Sequence, residues 1–253
     1  MAPTWDEPIS GKLLKAWEDW REEFPELSKL SVPRNYMKGS ESLKDAQMHI
    51  FADASVLAFG AAAYVRIKAG DTTLRCSFVL GKTRLAPIKP LTIPRLELQA
   101  AVIAGRIRTT IIEELNTKVN QITYWTDSMT VHQYIKGERT RFHTFVSNRV
   151  VEIRESSDPC AWRHVPGYLN VADDCSRGLL AYDLIQQSRR VHGPNFLLED
   201  ESELPKQKTC HPPDIEDPEV KADVWSGLTT EVRVDIFDPS KRWRSLKEMK
   251  TCG

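Results

Sequence analysis

The spacing of hydrophobic positions changes along the chain, and the changes mark out its elements. Leu13, Leu14, Trp17, Trp20 and Phe24 recur at helical intervals and predict an amphipathic helix over 9–23. Pro25 and Pro33 interrupt the stretch beyond it. From 48 to 81 the period is that of strands, predicted at 48–54, 58–67 and 72–80, with Gly70-Asp71 as the hairpin turn between the last two. Residues 82–92 read as a Pro-containing loop. Pro94 suits a first helical turn, and Leu98, Ala101, Ala104, Ile107 and Ile111 carry that helix to 115. A strand at 121–126, a short helix from a Ser128 cap to 135, and a helix over 141–155 come next. A strand at 161–165 and a helix over 171–187, broken at Gly178, complete the regular pattern.

Three strands and a helix, then strand, helix, strand, helix, specify an α/β fold. The expected form is a five-stranded mixed sheet, an antiparallel meander continued by parallel strands, with flanking helices. This divides the chain into a helical connection segment at 1–47, a core domain at 48–190 and an acidic, Pro-rich stretch at 191–253. Pro194, Pro205, Pro212, Pro213 and Pro218 make the start of that stretch read as a linker, mobile over 199–218. A strand at 232–237 and the beginning of a helix at Arg242-Trp243-Arg244 are expected near its end.

Charge sharpens the picture. The chain is neutral as a whole, but residues 48–190 hold 19 Lys and Arg against 13 Asp and Glu, and the flanks hold 16 against 22. A basic middle suits a polyanion ligand. The five cysteines are scattered and never spaced as C-x-x-C, which argues against a zinc site and a disulfide framework and suits a reducing compartment. No apolar run approaches the ~18 residues of a membrane helix, and the N-terminus lacks a signal-peptide layout. An intracellular, cytoplasmic protein is expected.

The chemistry lies in the acids. Asp53 falls inside the apolar stretch His49-Ile50-Phe51-Ala52-Asp53, where burying a charge costs several kcal/mol unless it is compensated. Glu97 taken alone is a helix-start acid. Asp127 taken alone reads equally as a turn or cap acid and as a functional one, and one of Asp173 and Asp174 is plain exposed charge. Together, strand ends and the first turn of a packed helix can bring these acids to one place. Carboxylates so gathered need counter-charge, which paired Mg²⁺ ions supply while promoting phosphodiester hydrolysis.

The motifs then become familiar. Asp53-Ala54-Ser55, Leu96-Glu97-Leu98, Thr126-Asp127-Ser128 and Asn170-Val171-Ala172-Asp173 stand in the order of the ribonuclease H family. His164-Val165-Pro166-Gly167 precedes the last acid as that family's loop histidine does. Three longer blocks resemble the ribonuclease H region of BEL/Pao-type LTR retrotransposon polyproteins. They are Lys82-Thr83-Arg84-Leu85-Ala86-Pro87, Ile93-Pro94-Arg95-Leu96-Glu97-Leu98-Gln99-Ala100 and Trp162-Arg163-His164-Val165-Pro166-Gly167. The likeness spans about residues 1–200.

That resemblance implies a ribonuclease H-like fold that cuts the RNA strand of RNA–DNA hybrids with Mg²⁺. By it, Asp53, Glu97, Asp127 and Asp173 hold two Mg²⁺ ions, with Mn²⁺ able to substitute. Asp174 is the spare acid, and His164 shuttles a proton or helps product leave, as an imidazole pKa of ~6.5 permits. Lys82, Arg84, Arg139, Arg141 and Arg149 are the available phosphate contacts, each of which can equally be ordinary surface charge. Trp5-Asp6-Glu7-Pro8 resembles the connection after reverse transcriptase, and Arg242-Trp243 the approach to integrase. The chain is therefore expected to be a piece of a longer polyprotein with those portions as partners. Two rivals stand beside the nuclease: a catalytically silent scaffold that binds nucleic acid or polyprotein neighbours, and an integrase- or exonuclease-like member of the same superfold.

Overall fold

A computed structural model of the chain describes residues 6–32, 46–69, 73–115, 119, 121–137, 140–186, 189–209, 213–214 and 216–221. The chain forms two units, Met1–Lys221 and Ala222–Gly253, and the second lies outside the described residues, as do the strand and helix expected there and the Gly70-Asp71 turn.

The regular elements of the first unit are α1 (Gly11–Glu23), β1 (Gln47–Ala54), β2 (Ala58–Ala69), β3 (Thr73–Leu85), α2 (Ile93–Leu115) and β4 (Gln121–Thr126). They continue with α3 (Met129–Lys136), α4 (Thr144–Ser156), β5 (Trp162–His164), α5 (Asp173–Arg177), α6 (Ala181–Gln186) and α7 (Arg189–His192). The strands lie in the order β3-β2-β1-β4-β5. β1, β2 and β3 are antiparallel neighbours, and β4 and β5 run parallel to β1. The five-stranded mixed sheet expected from the sequence is present. β3 is longer than the pattern indicated, because it continues through Lys82 and Arg84, and its pairing with β2 shifts register at Ala63/Tyr64.

Strand alternation sorts β1 into two faces. Met48, Ile50 and Ala52 join Leu98, Ala101, Ala104, Ile107, Val146 and Val150 in the core beneath α2 and α4. Small residues let these layers approach closely: a Cβ at Gly105 of α2 would collide with the Ser156 hydroxyl of α4. On the opposite face Phe51 packs with Ala62, Tyr64, Trp125, Val165 and Cys175. Asp53, two residues beyond Phe51, belongs to this second face.

The second core is completed by a segment whose composition resembles a linker. Phe196, Leu197 and Leu204 are buried in it. Arg66, 5% exposed, donates from Nε to the Leu197 carbonyl (2.9 Å), from Nη1 to Gln47 Oε1 (2.7 Å) and from Nη2 to the Glu199 carbonyl (2.5 Å). The Tyr64 hydroxyl donates to the Arg190 carbonyl at 2.6 Å. The described residues beyond 190 belong to the first unit, and the stretch around Leu197 is fastened by backbone carbonyls that take up a buried cation. At the other end α1 buries none of its side chains, and Trp17 and Trp20 stay about half exposed. Among the described residues no helix is long and apolar enough to cross a membrane.

Replacing Arg66 with Met leaves two carbonyls and the Gln47 amide oxygen without this donor. Charge-assisted bonds contribute about 1.5–3 kcal/mol each and are not additive, so a total loss of about 3 kcal/mol is expected. Urea unfolding measures it, and an unchanged midpoint would refute the role of Arg66 as a clasp on the C-terminal segment.

Candidate active site

The sheet register places the first two acids. Ala52 pairs with Thr126, so Asp53 and Asp127 are the next residues on neighbouring parallel strands. Glu97 enters from the first turns of α2, and Asp173 opens α5. Each carboxylate has a protein partner. The Ser176 hydroxyl donates to Asp53 Oδ2 at 2.5 Å, and the Ser128 hydroxyl donates to Glu97 Oε2 at 2.5 Å. Asn170 Nδ2 donates to Asp127 Oδ1 and to the Ala52 carbonyl, both at 3.1 Å, while its own Oδ1 accepts from the Ala172 N–H at 3.2 Å. Asp173 is paired with the exposed guanidinium of Arg177. Gly167 leaves room for Asp127, since a Cβ there would sit 3.1 Å from Oδ2.

These acids feel one another. Burial pushes the Asp53 carboxyl up from 3.8 to about 7, opposed by the Ser176 hydrogen bond and reinforced by the charges of Asp127, Asp173 and Glu97. Burial likewise raises Glu97, against the Ser128 hydrogen bond and with help from Asp127. The Arg177 cation is strengthened first by its bond to Asp173, with Asp53 and Asp127 adding to the attraction.

Asp53, Glu97, Asp127 and Asp173 are hard-oxygen donors of the kind Mg²⁺ takes, and burial together with the charges of the other three acids raises the proton affinity of Asp53. Among the described residues, however, no group of three or more His, Cys, Asp or Glu is placed so that it could hold a metal ion. Ser176, Ser128, Asn170 and Arg177 each hold one acid.

The remaining sequence candidates are placed differently. His164 ends strand β5 rather than sitting in an open loop, and it is 5% exposed. Burial, then Lys208, lowers its pKa, while Asp127 pulls the other way. Asp174, expected as spare exposed charge, is buried against Arg189 at 3.1 Å. Lys82 and Arg84 are exposed on β3, on either side of Thr83, whose row crosses Gly60 to Asp53. Arg141 is exposed before α4, and Arg149 stacks on the Phe145 ring at 3.5 Å. Arg139 lies outside the described residues.

Sequence reasoning does not find Ser176 and Asn170 as holders of the acids. Ser176 stands three residues after Asp173, one helical turn on, and that spacing is the one signal for it. Asn170 stands out in the sequence only as part of a motif.

The chain belongs to the Pao retrotransposon-like RNaseH-like domain family, whose model matches residues 2–128. No curated protein matches the chain. Similar solved structures include the N-terminal RNase H domain of Rv2228c from Mycobacterium tuberculosis, at 17% identity and a TM-score of 0.38 over 56% of this chain and 98% of that one. RNase H1 of the archaeon Halobacterium salinarum is 17% identical, with a TM-score of 0.34 over 55% and 95% of the two chains. LC11-RNase H1, solved in complex with an RNA/DNA hybrid, is 13% identical, with a TM-score of 0.36 over 55% and 99%.

With metal withheld, Asp53→Asn removes a carboxylate that binds its proton more tightly folded than unfolded. Wild-type stability falls as pH rises from 3.8 to about 7. The variant's advantage is therefore small at pH 4 and grows to at most about 4 kcal/mol at pH 8. Urea unfolding in EDTA at both pH values tests this, and a gap independent of pH would count against the buried charge.

Proposed function

We propose that this domain is a Mg²⁺-dependent ribonuclease H that cuts the RNA strand of RNA–DNA hybrids. The observation that supports the reading is the buried Asp53, whose proton affinity is raised first by burial and then by the charges of Asp127, Asp173 and Glu97. These four residues would hold the ions, with Mn²⁺ able to replace Mg²⁺. When bound, the paired cations supply an activated water and charge stabilisation of the leaving oxygen.

The chain's own groups prepare that site. Ser176 and Ser128 orient the Asp53 and Glu97 carboxylates, and Asn170 ties the end of β1 to Asp127. His164, beside Asp127, would take or pass a proton there, its pKa lowered by burial. Lys82, Arg84, Arg141 and Arg149, with Arg139, are the proposed contacts to backbone phosphates. The same proposal includes action inside the cell and, as partners, the reverse transcriptase and integrase portions of a parent polyprotein.

One observation favours a second reading. Every one of the four acids already has a partner within the protein, as expected of a silent scaffold that keeps the fold and binds nucleic acid without cutting it.

Incubation with RNA–DNA hybrid and Mg²⁺ separates the two. The nuclease yields RNA fragments, and Asp127→Asn lowers the rate by about 10²-fold or more while remaining folded, as loss of preorganised charge at a reacting centre does. An intact hybrid supports the scaffold. Preferential cutting of duplex DNA supports the integrase- or exonuclease-like alternative.

A further inference from the structure

Arg95 lies two residues before Glu97 and reaches towards the start of α4. Its guanidinium carbon is 4.8 Å from the centroid of the Phe145 ring, and that of Arg149 is 3.5 Å from the same centroid. Two cations gathered on one aromatic ring repel each other: burial lowers the Arg149 pKa, and Arg95 and Arg106 lower it further, against the pull of Glu152. Glu152 is itself bound to Arg106 at 2.7 Å. Such a place attracts an anion.

The chain supplies one from far along its length. Glu219 Oε1 accepts from Arg95 Nε at 2.5 Å and Oε2 from Nη2 at 3.1 Å, a two-pronged grip on a side chain only 8% exposed. Its neighbours cross the junction between α3 and α4. The Tyr134 hydroxyl donates to Asp217 Oδ2 at 2.7 Å, the His143 N–H to the Glu219 carbonyl at 2.9 Å and the Lys221 N–H to the Arg141 carbonyl at 2.8 Å. Val220 forms an isolated bridge with Phe142.

We infer that Arg95, Phe145 and Arg149 form a site for a nucleic-acid backbone phosphate, which Glu219 fills in the absence of ligand and vacates when a hybrid binds. A guanidinium fork accepts a carboxylate and a phosphate in the same geometry, so the acidic strap mimics the group it excludes. The site lies on the same helical turn that delivers Glu97 to the acids. The inference rests on the reading of this domain as a hybrid-binding nuclease, and it adds a self-contained brake on that binding.

The test compares full-length wild type and Glu219→Gln for binding a fluorescent RNA–DNA hybrid by anisotropy, in EDTA and over a range of salt. The variant is expected to bind about three- to tenfold more tightly, with a steeper dependence on salt, because one more cation is free to displace counterions. Equal or weaker binding overturns the proposal. Hydrogen exchange on wild type keeps the strap testable even if the variant fails to fold: hybrid should speed exchange at 216–221, and unchanged or slower exchange marks the strap as a fixed clasp. Binding by neither protein would sink the nuclease reading along with the strap. Binding by wild type with no change in the variant sinks the strap alone.

Discussion

A negative charge held inside the sheet is the constraint around which this domain is arranged. Asp53 sits on the central strand with 6% of its surface exposed, its face shared with aromatic side chains. Burial there is unfavourable by itself, and three more acids make it worse. The surroundings limit the damage by two means. Ser176 offers a hydroxyl hydrogen bond, and Arg177, the next residue, offers a cation at the rim. A protein selected only for stability would place an apolar residue at position 53. Keeping the carboxylate, with Ser176 and Arg177 of α5 beside it, gives up stability at this position.

How much of this is legible in the sequence depends on whether a feature leaves a local trace. Strand alternation and helical spacing leave such traces, so β1, β2, α2, β4 and α4 and their mixed order can be read from the residues alone. Asp53 is conspicuous because an acid interrupts an otherwise apolar strand. Contacts between distant residues leave none. The Ser176–Asp53 pair spans 123 positions and the Arg66–Leu197 pair 131. Arg66 reads as surface charge on a strand, and only its neighbours reveal it as a buried clasp. Phe196, Leu197 and Leu204 are isolated apolar residues among prolines and acids, without period, so composition alone makes them a linker.

The C-terminal part of the first unit therefore has two distinct attachments. The stretch around Phe196 is held in the second core and fastened by a buried cation, so it belongs to the folding unit. Gly193 shows how close the fit is: its φ is +78°, and a Cβ there would stand 2.6 Å from Cys76 Sγ. The strap around Glu219 meets mainly polar partners and backbone groups on the opposite side of the sheet. The first is anchored by apolar burial and the second by backbone and polar pairings, with Val220 packed against the core beneath α2 and α4.

Strand β3 is the outer strand on one side of the sheet, and it is 13 residues long. An outer strand of that length is an invitation to pair with a neighbouring molecule. The register shift at Ala63/Tyr64 bends the ribbon, and Lys82 and Arg84 put like charges along its open margin. Both features discourage edge-to-edge stacking into aggregates.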